Sequence, residues 1–131
     1  MAPTVAVSDL LKESGLSLQD FDYYEIHEAF AAQVLATLKA WDSEEYCRTR
    51  LGRDRALGAI DRSKLNIKGS SIAFGHPFAA TGARILAVLG KLLHTQGGQR
   101  GLISVCIAGG MGVAAILEGA RAREPVRAAA S

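Results

Sequence analysis

The sequence predicts an α/β domain in which helices cover a mixed sheet. Three observations support this: apolar residues recur at helical spacing in several segments, short apolar runs suit buried strands, and glycine-rich turns separate them. The resulting order of helix, strand, helix, irregular segment, helix, strand, strand is typical of a layered domain. A chain of 131 residues, 49% hydrophobic, is long enough to bury one core. We expect one domain over 1–118 and a flexible tail over 119–131, which is small and basic.

The first half contains two predicted helices and a strand. Pro3 and Thr4 precede apolar residues at helical spacing, and Gly15 follows them, which predicts a helix over Thr4–Ser14. Phe21–Ile26 mixes aromatic, acidic and aliphatic residues as a strand does, and it ends next to His27. An apolar face at helical spacing then predicts a helix over Glu28–Trp41.

The second half begins with a charged segment, Asp42–Lys64, interpreted as a surface excursion with a helix near Ser43–Arg50. Asn66–Gly75 is rich in glycine and serine, and Pro77 opens a helix that continues to Thr95. Two apolar runs joined by a tight turn predict neighbouring strands, Leu102–Cys106 and Val113–Leu117.

Composition excludes several classes of function. The formal net charge is only +2, so we assign no nucleic-acid partner. The two cysteines, Cys47 and Cys106, lack the close spacing of a zinc site or a disulfide framework, and they suit a reducing compartment. Met1–Asp9 has no basic, apolar leader and no window reaches 18 apolar residues. We therefore expect a cytoplasmic protein with no metal site and no transmembrane segment.

Cys106 is a candidate for chemistry because it ends an apolar strand and precedes a glycine-rich turn over 107–112. Two interpretations remain open: a small buried hydrophobic residue, or a reactive thiol. A reactive thiol needs a lowered pKa or a neighbouring base, which His27 or His76 could supply.

The histidines themselves are ambiguous by position. His76 lies at a predicted strand-to-helix corner, where a capping or core role is as plausible as a catalytic one. His27 lies at a second such corner, and Glu28 in the first turn of the following helix is structural because it complements the helix dipole. His94 near a helix end is structural for the same reason. The Gly109–Gly112 turn opens no helix, so a phosphate-binding interpretation is weak.

Three motifs in order, His27–Phe30 (His-Glu-Ala-Phe), Gly75–Pro77 (Gly-His-Pro) and Cys106–Gly110 (Cys-Ile-Ala-Gly-Gly), resemble the signature set of the thiolases. Asn66–Gly69 leads into the second motif and Ala80–Arg84 follows it. The resemblance covers Pro3–Glu118 and concerns the carboxyl-terminal half of the family, which implies a layered thiolase-like domain.

Two features resemble the thiolase subunit of trifunctional fatty-acid oxidation complexes. His27 stands where most thiolases have asparagine, and Asp42–Lys64 is longer than in the short biosynthetic enzymes. The resemblance therefore implies a role in fatty acid β-oxidation, with a hydratase/dehydrogenase subunit as a partner and homo-oligomer formation.

The resemblance also implies catalytic roles. His76 matches the histidine that activates a nucleophilic cysteine and helps to bind the thioester oxygen in one oxyanion hole. Cys106 matches the acid/base that moves a proton to or from the α-carbon of acetyl-CoA. His27 would help to position the water or proton donor of that same oxyanion hole.

Further positions match binding roles in the family. The backbone N–H of Ala108 matches a donor of the second oxyanion hole, which holds the acyl-enzyme oxygen. Ala29 and Phe30 match positions near the pantetheine and acyl path. Coenzyme A and acyl-CoA are substrates in this family, and no cofactor is bound permanently.

The family's nucleophilic cysteine belongs to the amino-terminal half, and no counterpart is found here. Cys47 is no substitute, because no motif surrounds it. The family's first strand of this half, normally the middle of its sheet, would precede Met1. We interpret the chain as a fragment, a truncated product or one part of a split enzyme.

Two hypotheses follow. The first is the carboxyl-terminal catalytic domain of a 3-ketoacyl-CoA thiolase, completed by the missing half and inactive alone. The second is an inactive thiolase fragment that acts as an assembly or binding module. A condensing synthase of the same fold is a third, against which Cys106 argues.

Overall fold

The computed structural model describes residues 1–120. They form five α-helices, three β-strands and one 3₁₀ turn at Arg62–Lys64. In chain order the helices and strands are α1 (Ala2–Ser14), β1 (Tyr23–Ile26), α2 (Ala31–Trp41), α3 (Glu44–Leu51), α4 (Ser71–Phe74), α5 (Phe78–Thr95), β2 (Arg100–Ile107) and β3 (Met111–Glu118). The predicted α/β fold with a mixed sheet is confirmed.

The sheet has the order β1-β2-β3 in the described part of the chain. β1 runs parallel to β2, with Ile26 opposite Ser104, and β3 returns antiparallel, with Gly112 opposite Cys106. Gly109 and Gly110 have φ values of 86° and 80°, a left-handed conformation that favours glycine and lets β2 turn tightly into β3. Because β1 and β2 are parallel, their carboxyl ends lie at the same edge of the sheet.

Helices cover both faces of this sheet, because alternate strand residues point to opposite sides. Leu102 packs with Val7, Tyr24 and Trp41 in one core. Its neighbour Ile103 packs on the other face with a second core from α5, which contains Ile85, Leu89 and Leu93. α5 lies so close to β2 that a Cβ added to Gly101 would lie 2.3 Å from Leu89 Cδ1. This close packing positions the amino-terminal end of α5 relative to the sheet edge.

Several predicted boundaries are wrong. α2 begins at Ala31 and not at Glu28, because Phe30 is extended (φ −149°, ψ 140°) as its N-cap. Pro77 is the N-cap of α5 and not its first helical residue. The residue before Gly75 ends the short helix α4, so His76 lies between two helices and not at a strand-to-helix corner.

Two expectations are not tested by this fold. The tail was predicted over 119–131, and residues 121–131 lie outside the described residues. A further strand was expected before Met1 in the middle of the sheet, whereas β1 and β2 are hydrogen-bonded directly to each other here. Within residues 1–120, no helix is both long and apolar enough to cross a membrane.

Candidate active site

His27 and His76 lie next to each other although 49 positions separate them in sequence: their ring centroids are 4.3 Å apart and the rings are tilted by 46°. His27 directly follows β1, and its backbone N–H donates to Ser104 O of β2 at 2.9 Å. We name Ile26–Phe30 the His27 corner and Gly75–Phe78 the His76 corner. The site is built where these two corners meet.

The ring of His27 is buried, with 1% of the residue exposed. Its Nδ1 atom is 2.8 Å from Ser71 Oγ, at the start of α4. Burial lowers the pKa of His27, and the imidazole of His76, when it is protonated, and the guanidinium of Arg84 lower it further. His27 therefore favours the neutral form, a hydrogen-bonding group without a charge.

Asn66 fixes the backbone of the His27 corner. Its Oδ1 accepts from Ile26 N–H at 2.9 Å and its Nδ2 donates to Ile26 O at 2.9 Å. The same Nδ2 donates to Glu28 Oε1 at 2.9 Å, and Ile72 N–H donates to Glu28 Oε2 at 3.2 Å. Asn66 has φ 48°, a left-handed conformation that asparagine tolerates better than most residues. This clamp joins the His27 corner to the start of α4.

The clamp corrects one prediction and reveals a residue that sequence reasoning missed. Glu28 is structural, as expected, but it lies outside a helix, and its carboxylate accepts from the first turn of α4 and not of α2. Asn66 was noted only as part of the segment that leads into the Gly-His-Pro motif. The sequence signal is an asparagine three residues before a glycine, which indicates a turn. It does not indicate which residues the asparagine side chain binds.

His76 is exposed, in contrast to His27. Its Nδ1 is 2.7 Å from Thr81 Oγ1, and Thr81 Oγ1 donates to Pro77 O at 3.2 Å. The Phe78 ring lies beside the imidazole, with centroids 4.9 Å apart. Thr81 itself is 1% exposed, so it is a fixed partner for a histidine that solvent can reach.

Cys106 lies near the carboxyl end of β2, two residues beyond Ser104, and is half-buried. Its strand partner Gly112 touches the start of α1, since a Cβ at Gly112 would lie 2.8 Å from the carbonyl carbon of Ala2. No hydrogen bond to the Cys106 thiol is formed within residues 1–120. The topology therefore brings His27 and Cys106 to one sheet edge, and no direct bond couples their side chains.

Cys47 differs from Cys106. It is fully buried in α3, and its thiol donates to Ala40 O and Trp41 O at 3.6 and 3.4 Å. A thiol with these surroundings is a structural residue, in agreement with the expectation that Cys47 is not the nucleophile.

The predicted binding residues lie around the same edge. Ala108 is exposed in the turn after β2, and Ala29 is half-buried beside His27. Phe30 is 73% exposed, and the other exposed apolar side chains near the two corners are Ile72, Phe74 and Phe78. His94 is exposed in the last turn of α5, away from both corners. Residues 1–120 contain no group of three or more His, Cys, Asp or Glu side chains arranged to hold a metal ion.

Two charged residues behind the His27 corner were not predicted. Arg84 of α5 donates from Nη2 to Ser71 Oγ at 2.9 Å, and its guanidinium lies 5.7 Å from the centroid of the Phe74 ring. Glu25 of β1 is 1% exposed, and burial raises its pKa to about 7, although the charge of Arg84 opposes this increase. The sequence pattern indicates only that Glu25 belongs to a strand.

Comparison with known proteins decides the family. Residues 1–119 match the model described as "Thiolase, C-terminal domain". The chain belongs to the thiolase C-terminal domain family. The family interpretation of the three motifs is thereby confirmed, although the roles of individual residues are not tested.

Relatives and solved structures of thiolases agree with this assignment. The chain is 48% identical over 118 residues, 90% of its length, to proteins named 3-ketoacyl-CoA thiolase from Shewanella baltica and Alteromonas mediterranea. Human mitochondrial 3-ketoacyl-CoA thiolase matches with TM-score 0.70 and 39% identity, over 91% of this chain and 26% of that one. Acetyl-CoA acetyltransferase from Syntrophomonas wolfei also gives TM-score 0.70, at 37% identity, over 87% of this chain and 26% of that one.

The chain spans about a quarter of the length of these relatives: the matched region is 27% of the Shewanella protein. The comparisons therefore identify a domain of the thiolase fold.

Proposed function

We propose that this chain is the carboxyl-terminal catalytic domain of a 3-ketoacyl-CoA thiolase. The observation that carries the proposal is the pair of adjacent imidazoles at the sheet edge, where Cys106 also lies near the carboxyl end of its strand. In the cleavage direction, a cysteine thiolate attacks the 3-keto carbon and the bond between C2 and C3 breaks. The acetyl-CoA carbanion takes up a proton, and the acyl group passes from the cysteine to coenzyme A.

Each group has a role in this sequence that its surroundings support. His76 is exposed and bonded through one nitrogen, so its other nitrogen is left to take a proton from the nucleophile and to bind the thioester oxygen. Cys106 supplies the proton to the α-carbon. His27 is held neutral and contributes to the same oxyanion hole, directly or through a water.

Binding roles fall to the turn and the apolar rim. The backbone N–H of Ala108 contributes to the oxyanion hole of the acyl-enzyme. Ala29 and Phe30 lie along the path of the pantetheine and acyl groups, for which an apolar surface is suitable. Acyl-CoA and coenzyme A act as substrates, and no permanently bound cofactor is needed for this chemistry.

The remaining parts come from outside this chain. Neither cysteine here is suited to be the nucleophile, so an amino-terminal thiolase half supplies it. The exposed side chains of Phe30, Phe74 and Phe78 form a surface that such a half can cover. His27 in place of asparagine and the long Asp42–Lys64 segment favour the β-oxidation type, with a hydratase/dehydrogenase partner and homo-oligomers. The two free thiols fit the predicted cytoplasmic location.

The proposal is tested by supplying the amino-terminal half. The chain is joined to the amino-terminal half of the Shewanella baltica relative, and thiolysis of acetoacetyl-CoA and longer 3-ketoacyl-CoA substrates is measured. We expect turnover by the joined protein. Inactivity of a folded joined protein, with the parent relative active in the same assay, would contradict the proposal.

The chain alone provides the complementary measurement. Incubation with acetoacetyl-CoA, followed by mass spectrometry, should show no acyl-enzyme, because the nucleophile is absent. A stoichiometric acyl adduct on Cys47 or Cys106, together with turnover, would show that the chain is an enzyme by itself.

A further inference from the structure

Each of the two imidazoles has a hydroxyl as its hydrogen-bond partner, but the two hydroxyls differ in their other contacts. A neutral imidazole has one N–H and one unprotonated nitrogen, and the partner of one nitrogen decides which tautomer is present. Both Nδ1 atoms face a hydroxyl here, Ser71 Oγ for His27 and Thr81 Oγ1 for His76. A hydroxyl can donate or accept, so its other contacts determine the tautomer.

Thr81 Oγ1 lies 3.2 Å from Pro77 O, four residues earlier in the chain, in the usual geometry of a hydroxyl that donates to a helical carbonyl. Its oxygen is then an acceptor at 2.7 Å from His76 Nδ1. With the hydroxyl hydrogen on Pro77 O, an Nδ1–H group of His76 satisfies that contact. The proton of neutral His76 is therefore placed on Nδ1, and Nε2 carries the free lone pair.

Ser71 has the opposite arrangement. Arg84 has donors only, and its Nη2 donates to Ser71 Oγ at 2.9 Å. No other acceptor lies within hydrogen-bond distance of Ser71 Oγ in residues 1–120, so its hydroxyl hydrogen is directed to His27 Nδ1, at 2.8 Å, in a site where both residues are buried. The proton of neutral His27 is therefore on Nε2.

We propose that Thr81 and the Arg84–Ser71 pair are positioning residues that give the adjacent histidines opposite tautomers. His76 then presents an unprotonated Nε2, which is a base, and His27 presents an Nε2–H, which is a donor. Neither Nε2 atom has a hydrogen bond within residues 1–120, so both remain for reacting groups. The tautomers are inferred from hydrogen-bond geometry, and their role in catalysis rests on the proposed function.

The proposal has a direct spectroscopic test in the 131-residue chain. Long-range ¹H–¹⁵N spectra of the imidazoles, recorded at a pH where they are neutral, report which nitrogen carries the proton. We expect Nδ1–H for His76 and Nε2–H for His27. His94, which is exposed, is the internal reference and should show mainly Nε2–H, the form that a free neutral side chain prefers. Signals are assigned with His27→Asn and His76→Asn.

Three substitutions separate the hydroxyls. Thr81→Val removes the acceptor, and His76 should then change to the Nε2–H form seen for His94. Thr81→Ser keeps the hydroxyl and should keep Nδ1–H. Ser71→Ala is the matched control, because it removes the other hydroxyl and should leave the His76 tautomer unchanged. An Nε2–H tautomer of His76 in the parent chain, or an unchanged Nδ1–H in folded Thr81→Val, would overturn the proposal.

Activity is a second and separable readout. In the joined protein, Thr81→Val should lower kcat for thiolysis about tenfold, with a small change in KM. The reason is that a smaller fraction of the enzyme then has His76 in the tautomer with an unprotonated Nε2. Thr81→Ser should retain the parent rate. An equal loss in both variants would contradict the tautomer role. If the parent joined protein were inactive, the proposed function would fail while the spectra still decide the tautomers.

Discussion

The His27 corner is buried and fixed by several side chains, whereas the His76 corner is exposed and bonded to one hydroxyl. Asn66 binds Ile26 and Glu28 of this corner, Ile72 N–H donates to Glu28, and Ser71 binds the His27 ring. At the His76 corner, Thr81 is the only hydrogen-bond partner of the imidazole among residues 1–120. We therefore expect the first corner to matter for stability as well as for the proposed chemistry, and the second to matter mainly for the proposed chemistry.

Removal of the clamp at the His27 corner should have the largest effect on stability. Asn66→Ala leaves Ile26 N–H and C=O without their side-chain partner and frees Glu28, and each such loss costs about 1–3 kcal/mol. We expect the free energy of unfolding of the chain to fall by about 3 kcal/mol. Urea denaturation followed by circular dichroism measures it. A loss close to zero would mean that the clamp is unimportant.

At the His76 corner, a substitution should lower activity strongly and stability only slightly. His76→Ala should reduce thiolysis by the joined protein at least about a hundredfold, the scale of a lost general base or oxyanion donor. Because His76 is exposed, the unfolding free energy of the chain should change by less than about 0.5 kcal/mol. Activity within a few fold of the parent would make the Gly-His-Pro motif a device for starting a helix.

A substitution at Cys106, in the third motif, tests whether proton transfer at the α-carbon depends on a different residue from acylation. Cys106→Ser should still accept an acetyl group from acetyl-CoA in the joined protein, because the proposed mechanism assigns activation of the nucleophile to His76. Exchange of the acetyl methyl hydrogens with heavy water should fall by roughly two orders of magnitude, since serine is a much weaker acid. Mass spectrometry of the acyl-enzyme and NMR of the exchange separate the two steps. Unaltered exchange in a folded variant would remove Cys106 from the mechanism.

The smallest effect concerns the buried carboxyl group that precedes the His27 corner. The folded-state pKa of Glu25 is raised to about 7 from 4.5, so the folded protein binds the proton more tightly than the unfolded chain does. Stability should therefore be higher near pH 5 and fall by about 2 kcal/mol as the pH rises through 7. Glu25→Gln should lack this decrease when urea denaturation is repeated at pH 5 and 8.

His27 contributes to the same measurement with the opposite sign. Its pKa is lowered, chiefly by burial, so its contribution to stability increases as the pH rises towards its ordinary value. The difference between the parent and Glu25→Gln isolates the carboxyl group, because His27 is present in both. A parent and variant with the same pH dependence would contradict the raised pKa.

Much of the fold follows from local sequence patterns. Apolar residues at helical spacing predicted α1 and α5, because burial of one helix face leaves a periodic pattern. Two short apolar runs predicted β2 and β3 as neighbouring strands. Boundaries were less accurate where side chains compete with the helix. Glu28 looked like a first-turn acid, but its carboxylate binds Asn66 and the backbone of Ile72, so α2 begins three residues later.

The sequence by itself determined the three motifs and hence the family, and it named His27, His76 and Cys106 as candidates. Only the tertiary structure decided that the imidazoles are adjacent, that Asn66 clamps one corner, and that Arg84 reaches Ser71 from α5. These contacts join residues 13 to 49 positions apart, and no local periodicity records them. Their physical origin is the parallel pairing of β1 with β2 and the close packing of α5 on Gly101, which bring distant side chains to one edge of the sheet.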